Sequence, residues 1–290
     1  MRRRVTLVIG GFLALGLLSC ARVAEDVAVT YERESIELAY VEWACAIASS
    51  NMAKAVLQEK LGHEVVLTPV SASEMWDGTA AGDFDGFVCA WLPETHAEYF
   101  QLTAGNVVDL GPQVYGASIG LVVPEYVEID SIEVLPEYAE EFDGQIIGID
   151  PESGIMSATE EAIEVYGLED FELIPGSDAD MVAAIDEAVT NEEWIVVTGW
   201  LPHWKFGEWE LKELEDPQLV YGGIEAIHNI VRAGLIEDAP ETFGFLDRFF
   251  WHMDGLNDLM ARIEAGEEDP YETAVRWMNE NPDVVDQWLQ

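Results

Sequence analysis

Two stretches decide the fold: Ile36-Glu-Leu-Ala-Tyr-Val-Glu-Trp43, which runs into Ala44 to Leu61, and Phe84-Asp-Gly-Phe-Val-Cys-Ala-Trp91. The first alternates well enough for a strand. The segment after it places Ile47, Met52, Val56, Leu57 and Leu61 at helical spacing, with Gly62 as a C-terminal cap. A second strand follows over His63 to Val70, and Ser71-Ala-Ser-Glu74 is a capping-box pattern that starts the helix holding Met75 and Trp76. Phe84 to Trp91 is the third strand. Strand and helix repeating at this interval predict an α/β fold with a mainly parallel sheet. Outward from there the pattern continues through strands at Ile119 to Val123, Gln145 to Ile149 and Trp194 to Gly199. Helices at Ser157 to Tyr166 and Asp178 to Thr190 alternate with them and predict a second sheet. The chain from Pro240 reads as helices over Phe243 to Met253, Gly255 to Ala265 and Tyr271 to Glu280, punctuated by Pro270 and Pro282.

The first twenty residues run from a basic head, Arg2 to Arg4, through an apolar stretch from Val5 to Leu18, and stop at Ser19-Cys20. That order is an export signal rather than a fold element. The apolar run is shorter than the ~20 residues a membrane-spanning helix needs. Leu-Leu-Ser-Cys resembles the lipobox of bacterial lipoproteins, in which the signal is cut before the cysteine and the cysteine is lipidated. The expectation is a signal peptide over 1–19 and a lipidated Cys20 with a polar tether over 20–35. The body would then be exported and lipid-anchored to the cell membrane, in the periplasm or on the outer face of the cytoplasmic membrane.

At 290 residues with 49% hydrophobic content the chain can bury a sizeable core. Its formal net charge of −44 makes the surface strongly acidic, and such a surface repels nucleic acid, which requires clustered Lys and Arg. Cys45 and Cys89 stand two residues from Trp43 and Trp91, and spacing leaves open both a disulfide and two buried free thiols. Cys and His show no metal-ligand spacing, so no metal and no cofactor are expected.

Ten tryptophans are a heavy load for this length. Three of them share one local grammar: Trp43, Trp91 and Trp200 each end an apolar strand (LAYVEW, FVCAW, IVVTGW), and Leu-Pro follows the last two. In open α/β sheets ligands sit at the carboxyl ends of strands. Converging indole faces suit a trimethylammonium group, a cation without a hydrogen-bond donor, and each face is worth ~2 kcal/mol when desolvated. An anionic end on the same ligand would find backbone N–H groups at Gly154 and Ile155, in Asp150-Pro-Glu-Ser-Gly-Ile-Met156 ahead of the Ser157 helix. His203, three residues past Trp200, would add a charge-assisted donor.

YVEWA, GDFDGFVCAWLPETH, GIDPESGIM, YGLEDFELIPGSDADM and VVTGWLPHW resemble, in order and spacing, the glycine betaine-binding proteins of ABC importers. The resemblance implies a two-lobed periplasmic-binding-protein-like (type II) fold that traps its ligand in the cleft between the lobes. It implies a discontinuous first lobe, 36–121 with 223–290, and a second lobe over 122–222, with hinges at Gly120 to Pro124 and Tyr221 to Gly223. It also implies Trp43, Trp91 and Trp200 as the cage, and Gly154, Ile155 and His203 as carboxylate contacts. The implied partners are a small quaternary ammonium ligand, an ABC permease and its ATPase; the expected protein is a monomer and not an enzyme.

Two other readings compete. Gly116-Ala-Ser-Ile-Gly120 matches the G-x-S-x-G elbow of serine hydrolases, but an extended segment with Pro124 follows where that elbow needs a helix. His96 and His203 with Glu94 lack a nucleophile, and His96 reads as a surface or supporting residue. A binding protein for choline or carnitine is the closer alternative, since both carry a quaternary nitrogen. Choline lacks a carboxylate, so the Gly154, Ile155 and His203 donors favour a betaine.

Overall fold

The structure, a computed structural model, describes residues 35–266 and 268–290. The signal peptide and Cys20 lie outside the described residues. Among the described residues, no helix is long and apolar enough to cross a membrane.

The first strand, β1 (Ile36–Tyr40), leads into α1 (Ala44–Glu59), and Gly62 beyond the helix takes a positive φ of 76°. Then come β2 (Val65–Pro69) and α2 (Ala72–Ala81), whose start is the reciprocal Ser71–Glu74 capping box expected from sequence. The chain continues through β3 (Gly86–Leu92), α3 (Ala97–Leu102) and the long β4 (Val107–Pro124). A 3-10 turn over Ile132–Tyr138 precedes β5 (Gln145–Ile147), α4 (Gly154–Tyr166), β6 (Glu172–Ile174) and α5 (Asp178–Asn191). Next are β7 (Val197–Leu201), α6 (Lys205–Glu208), β8 (Leu211–Glu213) and β9 (Glu225–Arg232). The chain ends in helices α7 (Leu235–Asp238), α8 (Pro240–Arg248), α9 (Met253–Glu264), α10 (Pro270–Glu280) and α11 (Pro282–Leu289).

The strands form one curled path in the order β2-β1-β3-β9-β4-β7-β5-β6, with β8 on β4. β1 pairs in parallel with β2 and β3, and β5 in parallel with β6 and β7. Antiparallel pairing joins these groups: β9 to β3 and β4, and β4 to β7 and β8. The sheet is therefore mixed, not mainly parallel. β4 carries the change of neighbour: Ala117 still pairs with Glu225 of β9, whereas Ser118 pairs with Leu201 of β7. Ser118 sits within this strand with its Oγ 3.2 Å from Glu213 Oε2, so the G-x-S-x-G match forms no elbow. The C-terminal helices return to the first group, α9 and α10 against α1, and α8 against β4 and β9.

Cys45 and Cys89 are free thiols and both are buried; Cys89 Sγ donates to Met75 Sδ at 3.3 Å. Burial, helped by the Asp178 charge, pushes the Cys45 thiol up to about 12, so it carries no charge near neutrality. Of the other tryptophans, Trp76, Trp251, Trp277 and Trp288 are core residues, and the last three pack edge to face at 5.1–5.2 Å.

Candidate ligand-binding site

Each of the three tryptophans is aimed by the element that ends there. Trp43 is the N-cap residue of α1, held in extended geometry, and its Nε1 donates to Asp150 Oδ2 at 2.8 Å. Trp91 lies opposite Ile227 near the end of β3, and Trp200 lies opposite Ile119 near the end of β7. β3 stops at Leu92 and β7 at Leu201, each followed by a cis Leu-Pro bond. A proline cannot donate to the ladder, so the strand ends where the tryptophan must project. The three side chains, all at most 5% exposed, form walls of a single cavity.

Gly154 and Ile155 line the same cavity as the first two residues of α4. The first amides of a helix have no intrahelical acceptor. Here the cap leaves them open, because Ser153 makes no side-chain cap bond and its Oγ donates instead to Asp150 O at 2.8 Å. No acidic residue occupies the first turn. The helix end is therefore a set of free donors with a positive dipole behind them. Glycine is required at 154 for space, since a Cβ there would stand 2.4 Å from Thr95 O and 2.5 Å from Thr95 Cγ2.

His96 also lines the cavity, which removes the surface half of the surface-or-supporting reading given to it from sequence. It is 1% exposed. The turn from Trp91 to His96 closes on itself: His96 N donates to Trp91 O at 2.9 Å, and Trp91 N donates to His96 Nδ1 at 3.1 Å. Buried Glu225 holds the turn by accepting from Glu94 N, Thr95 N and Thr95 Oγ1 at 2.5–2.8 Å. Because Nδ1 accepts, the neutral ring carries its proton on Nε2, and burial pushes the imidazole down to about 3, which keeps it neutral. Nε2 has no protein partner. A buried donor of this kind is paired in most folded proteins, which singles out this one as a candidate ligand contact.

His203 takes a different place. It does not line the cavity; its ring packs edge on to Trp200 at 4.9 Å. Both nitrogens are engaged: Nδ1 accepts from Lys205 N at 3.1 Å, and Nε2 donates to Asp178 Oδ1 at 3.0 Å. Burial, with the Lys205 charge beside it, pushes this imidazole down to about 4. Asp178 also accepts from Ala44 N, the first amide of α1, at 2.9 Å. Burial works to raise the Asp178 carboxyl, but His203, Lys205 and that amide hold it below its ordinary value, so it is ionised.

Three indoles, the two uncapped amides at the start of α4 and His96 thus line one cavity. Residues 34–280 match the family described as the substrate binding domain of ABC-type glycine betaine transport systems. The chain belongs to this family. A member from Listeria monocytogenes, the glycine betaine/carnitine transport binding protein GbuC, is 43% identical over 52% of this chain and 51% of its own. The chain thus aligns with about half the length of that relative. Lactococcal OpuAC, solved in its closed-liganded conformation with glycine betaine, is 36% identical with a TM-score of 0.84, over 89% of this chain and all of that one. An ABC-transporter choline binding protein in complex with choline is 25% identical with a TM-score of 0.82, over 88% of this chain and 91% of that one. The family's two-lobed type II architecture accounts for the curled sheet and for the long strand that changes neighbours within it.

Proposed function

We propose that this domain captures glycine betaine or a closely related betaine outside the cytoplasm and hands it to the permease and ATPase of an ABC importer. Trp43, Trp91 and Trp200 hold the quaternary nitrogen, and the amides of Gly154 and Ile155 receive the carboxylate. His96 Nε2 is the side-chain donor to that carboxylate, with His203 acting from behind Trp200 as a positioning residue. The observation that carries the reading is the set of residues lining one cavity: three indoles, the uncapped amides of Gly154 and Ile155, and His96, whose Nε2 has no protein partner. A cation with no hydrogen-bond donor suits the indoles, and a carboxylate suits the donors. Choline would leave the Gly154 and Ile155 amides and His96 without an anionic partner, and unpaired buried donors are costly. The domain binds its ligand without transforming it.

The lobes run over 36–121 with 223–290, and over 122–222. The change of neighbour between Ala117 and Ser118 and the return of the C-terminal helices support that division. Bonds from Trp43 Nε1 to Asp150, from Ala44 N to Asp178 and from Ser73 Oγ to Glu152 cross between them and hold the cleft shut. Cys20 carries the lipid that anchors the domain to the membrane.

Glycine betaine added to the protein should change tryptophan emission and saturate in the micromolar range. Replacing any one of Trp43, Trp91 or Trp200 by alanine should weaken binding about tenfold or more, since each face contributes more than ~1.4 kcal/mol. No change in emission with glycine betaine, proline betaine or choline at millimolar concentration would overturn the proposal.

A further inference from the structure

Lys205 makes none of the proposed ligand contacts, yet its side chain is wholly buried at the first position of α6. Its Nζ stands 4.4 Å from the centre of the Trp200 ring and 5.8 Å from that of Phe206. Trp200 lines the cavity, whereas Lys205 is not among the lining residues. Gly199 lies beside it: a Cβ there would touch Nζ at 3.4 Å and would clash with Val122 Cγ2 at 2.4 Å. The hydrogen bond its amine makes is a weak one, to Met181 Sδ at 3.8 Å. Three titratable groups face it: Asp178 from α5, His203 from the turn ahead of α6, and Cys45 from α1. His203 is neutral and Cys45 is a thiol, so Asp178 alone opposes its charge, and that carboxylate is already shared with Ala44 N and His203.

A cation on one side of an indole draws on the same π electrons that a ligand cation uses on the other side. In a water-poor site the two positive charges also repel across the ring. A betaine brings its own carboxylate and has no net charge, whereas choline adds a full positive charge. The related fold that holds choline shows that the scaffold itself admits either ligand.

We propose that Lys205 is a specificity-determining residue, its ammonium on Trp200 biasing the cage against net-cationic quaternary ligands and in favour of zwitterionic betaines. The proposal rests on the quaternary-amine reading above. Burial pushes the Lys205 ammonium down to about 8, so the bias is present below that pH and is lost as pH rises through it. Asp178 then remains as an uncompensated negative charge beside the cage, which favours choline further.

The test is calorimetry with glycine betaine and with choline, for the wild type and K205M, at pH 6.5 and pH 9.5. In the wild type the ratio of the choline Kd to the betaine Kd should fall by about fivefold or more between the two pH values. K205M should show the lowered ratio already at pH 6.5 and no further change at pH 9.5. Choline binding to the wild type at pH 8 should also release protons to the buffer, a response a purely structural lysine would not give. A ratio that stays constant in the wild type across pH would overturn the role of Lys205, and this arm needs no variant to fold. A folded K205M with wild-type selectivity at both pH values would overturn it equally. A wild type that binds neither ligand would remove the quaternary-amine reading itself.

Discussion

Trp43, Trp91 and Trp200 owe their positions to where strands stop, and this is why they are legible in the sequence. Each ends an apolar run, and the Leu-Pro after two of them marks the stop. Gly154 and Ile155 are legible for a related reason, since a helix start exposes amides whatever its side chains. His96 is not legible in this way. Its ring reaches the cavity only because the Trp91–His96 turn folds back on the Trp91 amide, and Glu225, far along the chain, holds that turn. The available signal was a histidine placed to return across a Leu-Pro turn onto its own tryptophan. His203 follows Trp200 more closely, and its ring swings instead to Asp178. The two histidines therefore separate under mutation. H96A should weaken glycine betaine by about tenfold, the value of one donor to a carboxylate, and weaken choline far less. H203A should weaken both ligands alike. Titration calorimetry with both ligands reads this, and equal losses for the two ligands in H96A would place its Nε2 away from the carboxylate.

The helices and parallel strands from Ile36 to Leu92 follow the sequence pattern within a few positions, because each pairs or packs with near neighbours in the chain. The antiparallel strands do not. β4 contains Gly111, Pro112 and Gly116, and its pairing with β9 shifts register three times, so no simple alternation survives. β9 hides for the opposite reason: Glu225 and Asn229, polar residues, are buried there, Glu225 holding the Thr95 turn and Asn229 donating to Leu246 O and Phe249 O. A pattern search reads those positions as surface. These two strands tie the parallel groups together, and this is how an expected mainly parallel sheet becomes a mixed one. Where local chemistry alone decides an element, the consequence of a change is mainly local. S71A removes the α2 capping box, which costs about 1 kcal/mol, and should lower Tm by about 2–4 °C; because Ser71 Oγ also touches Ser73 Oγ, which donates to Glu152, a small loss of betaine affinity should accompany it. Thermal unfolding and a betaine titration of the same variant check both halves.

At the scale of the molecule, the net charge of −44 sets how stability responds to solution conditions. Added salt screens self-repulsion and should raise Tm. Acid acts through the buried histidines. His96 and His203 are pushed down to about 3 and about 4 in the folded protein, so between those values and about 6.5 the unfolded chain binds protons that the folded one refuses. The histidine contribution to stability is therefore full above about pH 6.5 and falls on acidification by about 1.4 kcal/mol per pH unit for each ring. Urea titrations at pH 7.5 and pH 5 measure this, and equal midpoints would contradict buried neutral rings. In the proposed site, indole faces hold a positive nitrogen. Calorimetry comparing glycine betaine with 3,3-dimethylbutanoate tests it most directly, because the second molecule keeps the carboxylate and the shape but replaces the charged nitrogen with carbon. The account predicts micromolar affinity for glycine betaine and at least hundredfold weaker binding for the carbon analogue, about 2.7 kcal/mol. Equal affinities would contradict it.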